Sequence, residues 1–441
     1  KDHHQDTLIF VKSLSTSLIN AKRIIDNDVN LGDAKLSGVH FYMKTYKGED
    51  SDNMNIFIDR FDNDTVEKSK TPFRLRANNI YIDDYTDYSW GGDWIIVQDF
   101  YLNGANINLK ARGLYLVENK GIDITNLTTD FEYTKTQMLL ENTIIETSNN
   151  SKLATDIKFS YNRKDFANFL DKVRVKAVVN KSIVSVNDLN KFYGELGGND
   201  ILYVRGNMSG VLNNFSADNI NMYSKNGIKI VGNMGFLNAF KSDRGFVFDG
   251  DLEQVHSNYS QLQNILPNII GNKLPTSLKK AGNFDLSGII KATPEQIDAS
   301  LFVSSEAGTI ISDLELTNID NIDYATYIGQ IEFLDVDVGA LAEDPLFGKV
   351  SLKADVNGYG FKVDNINTTI IGKITALDFK GYKYENIVVN GQFQNKKFDN
   401  LILMDGDGGD RPVEIKSLVN KVNEQPNKSV VAKRVKRSEG L

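Results

Sequence analysis

The sequence predicts a mainly β protein, an antiparallel sheet accompanied by a few short helices. Three observations carry this. Apolar residues recur at every second position in many segments, Gly-containing turn pairs punctuate those segments, and helical periodicity is rare and brief.

In chain order, Ile107, Leu109 and Ala111 alternate with Asn108 and Lys110. Successive strand residues point to opposite faces, so such a segment has one apolar and one wet face. Helical spacing appears first over Asp165 to Val173, where Phe166, Phe169, Leu170 and Val173 fall on one side. It recurs from Asn187 to Tyr193, and from Ser257 to Ile265 with Pro267 as the expected stop. Strand alternation then returns through Val350, Leu352, Ala354 and Val356, and again through Ile387, Val389 and Phe393. The pairs Asn103-Gly104, Asn226-Gly227, Asp249-Gly250, Asn357-Gly358, Asn390-Gly391 and Gly91-Gly92 mark hairpin turns or bulges.

A weak repeat runs through this pattern. Leu202–Leu212 continuing to Asn219–Tyr223, Phe284–Ile290 continuing to Ile297–Val303, and Val350–Gly358 continuing to Asp364–Thr368 each read as strand, turn, strand. The spacing is irregular, which predicts continuous sheet built from hairpins rather than a strict solenoid. We therefore expect one β region over residues 1–404, with weak units near 1–160, 161–283 and 284–404. Residues 405–441, where alternation stops and Lys433, Arg434, Lys436 and Arg437 cluster, are expected to form a poorly ordered basic tail.

Composition narrows the function. A net charge of −8 provides no polyanion-binding field, so nucleic acid is not an expected partner. With 41% apolar residues the body has enough to bury and is not expected to be disordered. The absence of cysteine excludes a disulfide scaffold, thiolate metal sites and thiol catalysis. No apolar run is long enough for a membrane-spanning helix. The opening Lys1-Asp2-His3-His4-Gln5 has no signal pattern and reads as a cut from a longer chain.

No catalytic constellation emerges, so neither enzyme activity nor a cofactor is expected. His3, His4, His40 and His256 show no metal-binding spacing, and His3 and His4 are expected to face solvent. Asp405, Asp407 and Asp410 miss the calcium-loop spacing by one residue, and Glu414 stands too near to close such a loop. The segment Asp83, Asp84, Tyr85, Asp87, Tyr88, Trp90 and Asp93 mixes aromatics with carboxylates. It is expected to pack its rings on the sheet rim rather than bind sugar. No nucleophile elbow or phosphate loop is present.

Several phrases in order resemble the TamB translocation and assembly module family of the AsmA-like group, in its Bacteroidetes form. They are Asp6–Lys12 with Leu36–Phe41, Ile331–Gly339, Asp344–Val350, Val356–Phe361, and Phe379–Ile387 leading into Asn390–Phe393 and Lys397-Phe398. The resemblance spans about residues 5–404 and implies an elongated, curled, taco-like sheet, the repeating β-groove. It further implies a periplasmic location in a Gram-negative bacterium and an inner-membrane anchor lying outside this chain. Also implied are phospholipid transport to the outer membrane, and secretion or assembly of outer-membrane proteins with an Omp85-type partner. On this reading the apolar face receives phospholipid acyl chains. The lining candidates are Ile107, Leu109, Leu301, Val303, Val350, Leu352, Val356, Ile387, Val389 and Phe393. The rival expectation is an extracellular β-structured adhesin or sugar-binding protein, whose apolar faces would close into dry sandwich cores.

Overall fold

The computed structural model describes residues 1–49, 51–59, 72–86, 90–118, 121–191, 196–240, 245–265, 276–319, 321, 323–361, 365–394, 397–399, 402–403 and 413–414. Strand makes up 65% of it and helix 12%, so the helices are too few to blanket the sheet. The chain forms two compact units, one of residues 1–194 and 198–225, the other of 195–197 and 226–441.

In the first unit the strands are β1 (Ile9–Thr16), β2 (Asp28–Asn30), β3 (Asp33–Phe41), β4 (Arg74–Thr86), β5 (Trp90–Asn103), β6 (Asn106–Leu114), β7 (Leu116–Glu118), β8 (Asp123–Tyr133), β9 (Gln137–Thr147), β10 (Lys152–Ser160), β11 (Arg174–Ser185), β12 (Ile201–Val211) and β13 (Asn214–Ser224). Neighbouring strands pair in chain order, with two broken strands. Strands β2 and β3 both lie along β4, and β6 and β7 together fill the place between β5 and β8. Strand β4 pairs with β2 and β3 in parallel, so the sheet is mixed rather than purely antiparallel as expected. Parallel strands require a long return connection, and the short helix α2 (Asn53–Asp59; α1 is Ala21–Ile25) lies between β3 and β4 in the chain.

The second unit is a simple antiparallel meander. Strands β14 (Lys229–Leu237), β15 (Val247–Asn258), β16 (Asn283–Ala292), β17 (Gln296–Ser305), β18 (Gly308–Thr317), β19 (Thr326–Asp337), β20 (Phe347–Tyr359), β21 (Asn367–Phe379), β22 (Tyr382–Gln394) and β23 (Lys397–Asp399) each pair with the next. The three weak repeats are the hairpins β12–β13, β16–β17 and β20–β21. Asn103-Gly104 lies at the β5–β6 turn, but Gly91-Gly92, Asp249-Gly250, Asn357-Gly358 and Asn390-Gly391 lie inside strands.

Bulges recur along the sheet, and Asn or Asp takes the left-handed position at several of them. Asp99, Asn142, Asn219 and Asp335 have φ between 50° and 54° and sit at register shifts. These two residue types tolerate that conformation because their short polar side chains bond locally. Asn142 illustrates the device: its N–H donates to Asp156 at 2.8 Å and its side-chain amide to Asp130 at 3.0 Å. Each bulge adds local twist and bends its strand.

The helices differ in detail from expectation. Residues 165–173 do not form one helix; a 3₁₀ turn over Arg163–Asn168 gives way to α3 (Phe169–Lys172), and Val173 leads into β11. The second expected helix is the single turn α4 (Val186–Leu189), and the third is α5 (Tyr259–Ile265). A further turn, α6 (Val338–Ala342), is capped by Asp337, whose carboxylate accepts from the Ala340 N–H at 2.9 Å. Of the expected tail, only Val413–Glu414 is described. It pairs with Ile402–Leu403. The loop of Asp405, Asp407 and Asp410 lies outside the described residues.

Candidate functional site: an open apolar face

Strand register places eight of the ten lining candidates on one face of the second unit. Across the ladder, Leu301 pairs with Gly288 and Ser312, and Val303 with Leu286 and Ile310. Phe333 opposes Leu352, and Gly329 opposes Val356. Leu352 opposes Ile374, which opposes Ile387; Gly372 opposes Val389 and Thr368 opposes Phe393. Directly opposed residues share a face, so the set extends from β16 to β22 without a change of side.

Burial on this face runs in an unusual order. The buried members are mostly small, Ala299, Val336, Val350, Ala354, Val356 and Val389, with Leu252 and Tyr327 the larger exceptions. The other large ones, including Leu301, Leu314, Phe333, Leu352, Ile370, Ile374, Ile387 and Phe393, are only half-buried. In a dry core the largest apolar side chains are normally the best covered. Here they stand above a floor of smaller residues and keep contact with solvent.

The helices of this unit explain why the face stays open. Strands β15 and β19 run in the same direction, so α5, a 3₁₀ turn at Thr276–Ala281 and α6 gather at one end of the meander. Helix α6 packs on that turn and on the start of β20. None of them crosses the middle of the strands. Gly329 allows a close approach of β18 and β19 there. Its φ is +145°, and an added Cβ would stand 2.0 Å from the Asp313 carbonyl oxygen. Only glycine fits that approach.

The opposite face carries polar ladders: Ser300 donates to Asp313 at 2.7 Å, Gln330 to Asp355 at 2.9 Å, and Lys353 pairs with Glu332 at 3.2 Å. It is less uniformly wet than expected. Ile289, Phe302, Ile311, Ile328, Ile371 and Val388 are exposed on it. At its rim, His256 and Gln254 both hydrogen-bond Asp285. The Gln254 amide, helped by His256, holds that carboxyl below the usual carboxylate range.

The other two candidates, Ile107 and Leu109, lie on the first unit's apolar face, paired with Tyr133 and Phe131. Ile107 is partly buried there. It packs against a cluster of Tyr133, Tyr161 and Val173, which Phe166 and Phe169 from the turn and α3 also join. Ring centroids of Tyr161 and Phe166 are 4.5 Å apart, and those of Phe159 and Phe169 are 5.9 Å apart. The Tyr161 hydroxyl donates to the Thr134 carbonyl at 3.0 Å, and burial pushes its pKa well up. The same residues that read as an amphipathic helix thus act as an aromatic cover.

The aromatic and acidic segment is used for packing. Tyr85 is fully buried and its hydroxyl donates to the Tyr115 carbonyl. Burial first, and then the Asp93 carboxylate, push its pKa up to about 12. Gly92 makes room for that ring, since a Cβ there would lie 2.8 Å from the Tyr85 oxygen. Asp87 and Tyr88 lie outside the described residues. His40 hydrogen-bonds Thr86 at 2.8 Å and stacks on Phe10.

Sequence spacing missed one polar assembly. His3 and His4, expected to face solvent, converge with Glu49. Comparison of the chain with family models, with curated proteins and with solved structures returns no match. Among the described residues, no helix is long and apolar enough to cross a membrane.

Proposed function

We propose that the apolar face of the second unit receives lipid acyl chains, and that the chain is a non-enzymatic segment of a periplasmic phospholipid bridge between inner and outer membranes. The single observation behind this is that most of its large aliphatic side chains are only partly buried, beside a buried set made mainly of Ala and Val. Such a surface costs free energy in water and recovers it when hydrocarbon covers it, at about 0.8 kcal/mol per methylene. Ladder hydrogen bonds satisfy the strand backbones, so a chain lying on the face meets no unpaired amide. No tight site is needed, because transfer along a path favours uniform, shallow affinity. The resemblance to the TamB family supplies the wider setting, including support of outer-membrane protein secretion or assembly with an Omp85-type partner. The adhesin or sugar-binding alternative calls for a dry sandwich core, which sits poorly with Leu301 and Leu352 being only partly buried.

The test is lipid extraction and native mass spectrometry of the chain purified without detergent from a Gram-negative host. Co-purifying phospholipid is the expected result. Leu301→Asp with Leu352→Asp, both at half-buried positions, should remove most of it while circular dichroism stays unchanged. Equal lipid recovery from a folded double variant would overturn the proposal. Val389 is too deeply buried to serve this purpose, since a charge there threatens the fold itself.

A further inference from the structure

We infer that His3, His4 and Glu49 form a binding site for a divalent transition-metal cation of the zinc class, independent of the apolar face. Two imidazoles and one carboxylate are a donor set that suits such an ion. His3 Nε2 lies 2.9 Å from each carboxylate oxygen of Glu49, and His4 Nε2 lies 2.7 Å from Oε1. One donor atom from each residue lies within 4.8 Å of the others. Tetrahedral zinc with bonds of about 2.0–2.1 Å needs donor atoms about 3.3 Å apart. Each imidazole needs to draw back from the Glu49 carboxylate by only about half an ångström to admit the ion.

The surrounding residues hold the donors in place. Asp2 is fully buried, and its carboxylate accepts from the His4 N–H at 3.0 Å and the Asp6 N–H at 2.9 Å. The same carboxylate accepts from Asn53 Nδ2 at 3.0 Å, and the Tyr46 hydroxyl lies 2.6 Å away. That hydroxyl is also 2.7 Å from Asp6, which pairs with Lys44 at 2.8 Å. The Tyr46 ring stands against both imidazoles, with centroids 5.4 Å from His3 and 3.9 Å from His4. Glu49 sits on a turn closed by its own N–H to the Tyr46 carbonyl. A ligand set pre-ordered by its supporting shell loses less entropy when the ion binds. The site also has an entrance, because the His4 and Glu49 side chains keep 47% and 26% of their exposure. Three protein ligands leave a fourth position for water. The His3 Nδ1 is buried and has no hydrogen-bond partner among the described residues, so within them this ligand lacks the acceptor that usually strengthens a metal-bound histidine.

The experiment is titration calorimetry of zinc chloride into the full chain, purified without a polyhistidine tag and stripped with chelator. One ion per chain is expected. His3→Ala, His4→Ala and Glu49→Gln should each weaken binding by at least about tenfold, the lower end of what loss of even a supporting residue costs. His40→Ala and His256→Ala should leave it unchanged. Cobalt(II) provides a second readout that does not depend on the variants folding: visible bands of a four-coordinate nitrogen and oxygen site should appear in the unaltered chain. Absence of both a zinc isotherm and cobalt bands would overturn the inference, leaving the three groups as an ion-pair cluster. So would zinc binding that survives in the folded His3→Ala/His4→Ala double variant.

Discussion

Two apolar surfaces of this chain, built from the same kind of alternating strand, end in opposite states. In the first unit, Tyr133, Tyr161 and Val173 are buried beneath Phe166 and Phe169. In the second, Leu301, Leu352, Ile374 and Ile387 are only partly buried, and among the described residues no helix lies across them. Strand patterning cannot account for the difference. It comes from one connection: the segment between β10 and β11 carries two phenylalanines back onto the sheet, whereas the helical turns of the second unit stay at one end of its strands. A face is a core or a binding surface according to what its connections carry over it.

The comparison has measurable consequences. Tyr161→Ala should have the largest effect, costing about 3–5 kcal/mol of stability in urea unfolding, because it removes an aromatic ring from the covered cluster. Gly329→Val should cost about 1–3 kcal/mol, since the new side chain meets the Asp313 carbonyl and the backbone must shift. If the open face is as accessible as its burial indicates, Leu301→Ala and Leu352→Ala should cost only about 1–1.5 kcal/mol each. The fully buried Leu8 of the first unit supplies the reference, with Leu8→Ala expected to cost about 2–5 kcal/mol. Equal losses at Leu8 and Leu352 would erase the distinction between the two surfaces.

A smaller effect concerns alkaline pH. The Tyr85 pKa is raised from its ordinary 10.0 to about 12, so the folded state favours the protonated phenol. Its contribution is fully present below pH 10 and is lost as pH rises toward 12. Tyrosinate absorbance should therefore lag behind that of exposed tyrosines, and Tyr85→Phe should flatten this part of the stability–pH curve.

The sequence revealed the strands well, because period-two alternation is enforced wherever one face is covered or apolar. Each of the three weak repeats corresponds to a hairpin, and the eight candidates of the second unit share one face. Three features were hidden for physical reasons. The parallel pairing of β3 with β4 depends on a long-range return of the chain, and strand composition carries no mark of it. The bulges at Asp99 and Asn142 interrupt alternation by one residue, which a turn signal also does. The convergence of His3, His4 and Glu49 joins residues 45 or more apart in sequence, held by a buried Asp2 that no spacing rule detects.

The central claim is that the second unit's apolar face, and not its opposite face, meets hydrocarbon. Site-specific photo-crosslinking in phospholipid-containing cells tests it most directly, with the photoreactive residue placed in turn at Leu301, Leu352, Ile387, Lys353 and Asn390. Lipid adducts at the first three positions and few or none at the last two are expected. Equal labelling of both faces, or labelling of neither, would contradict the account.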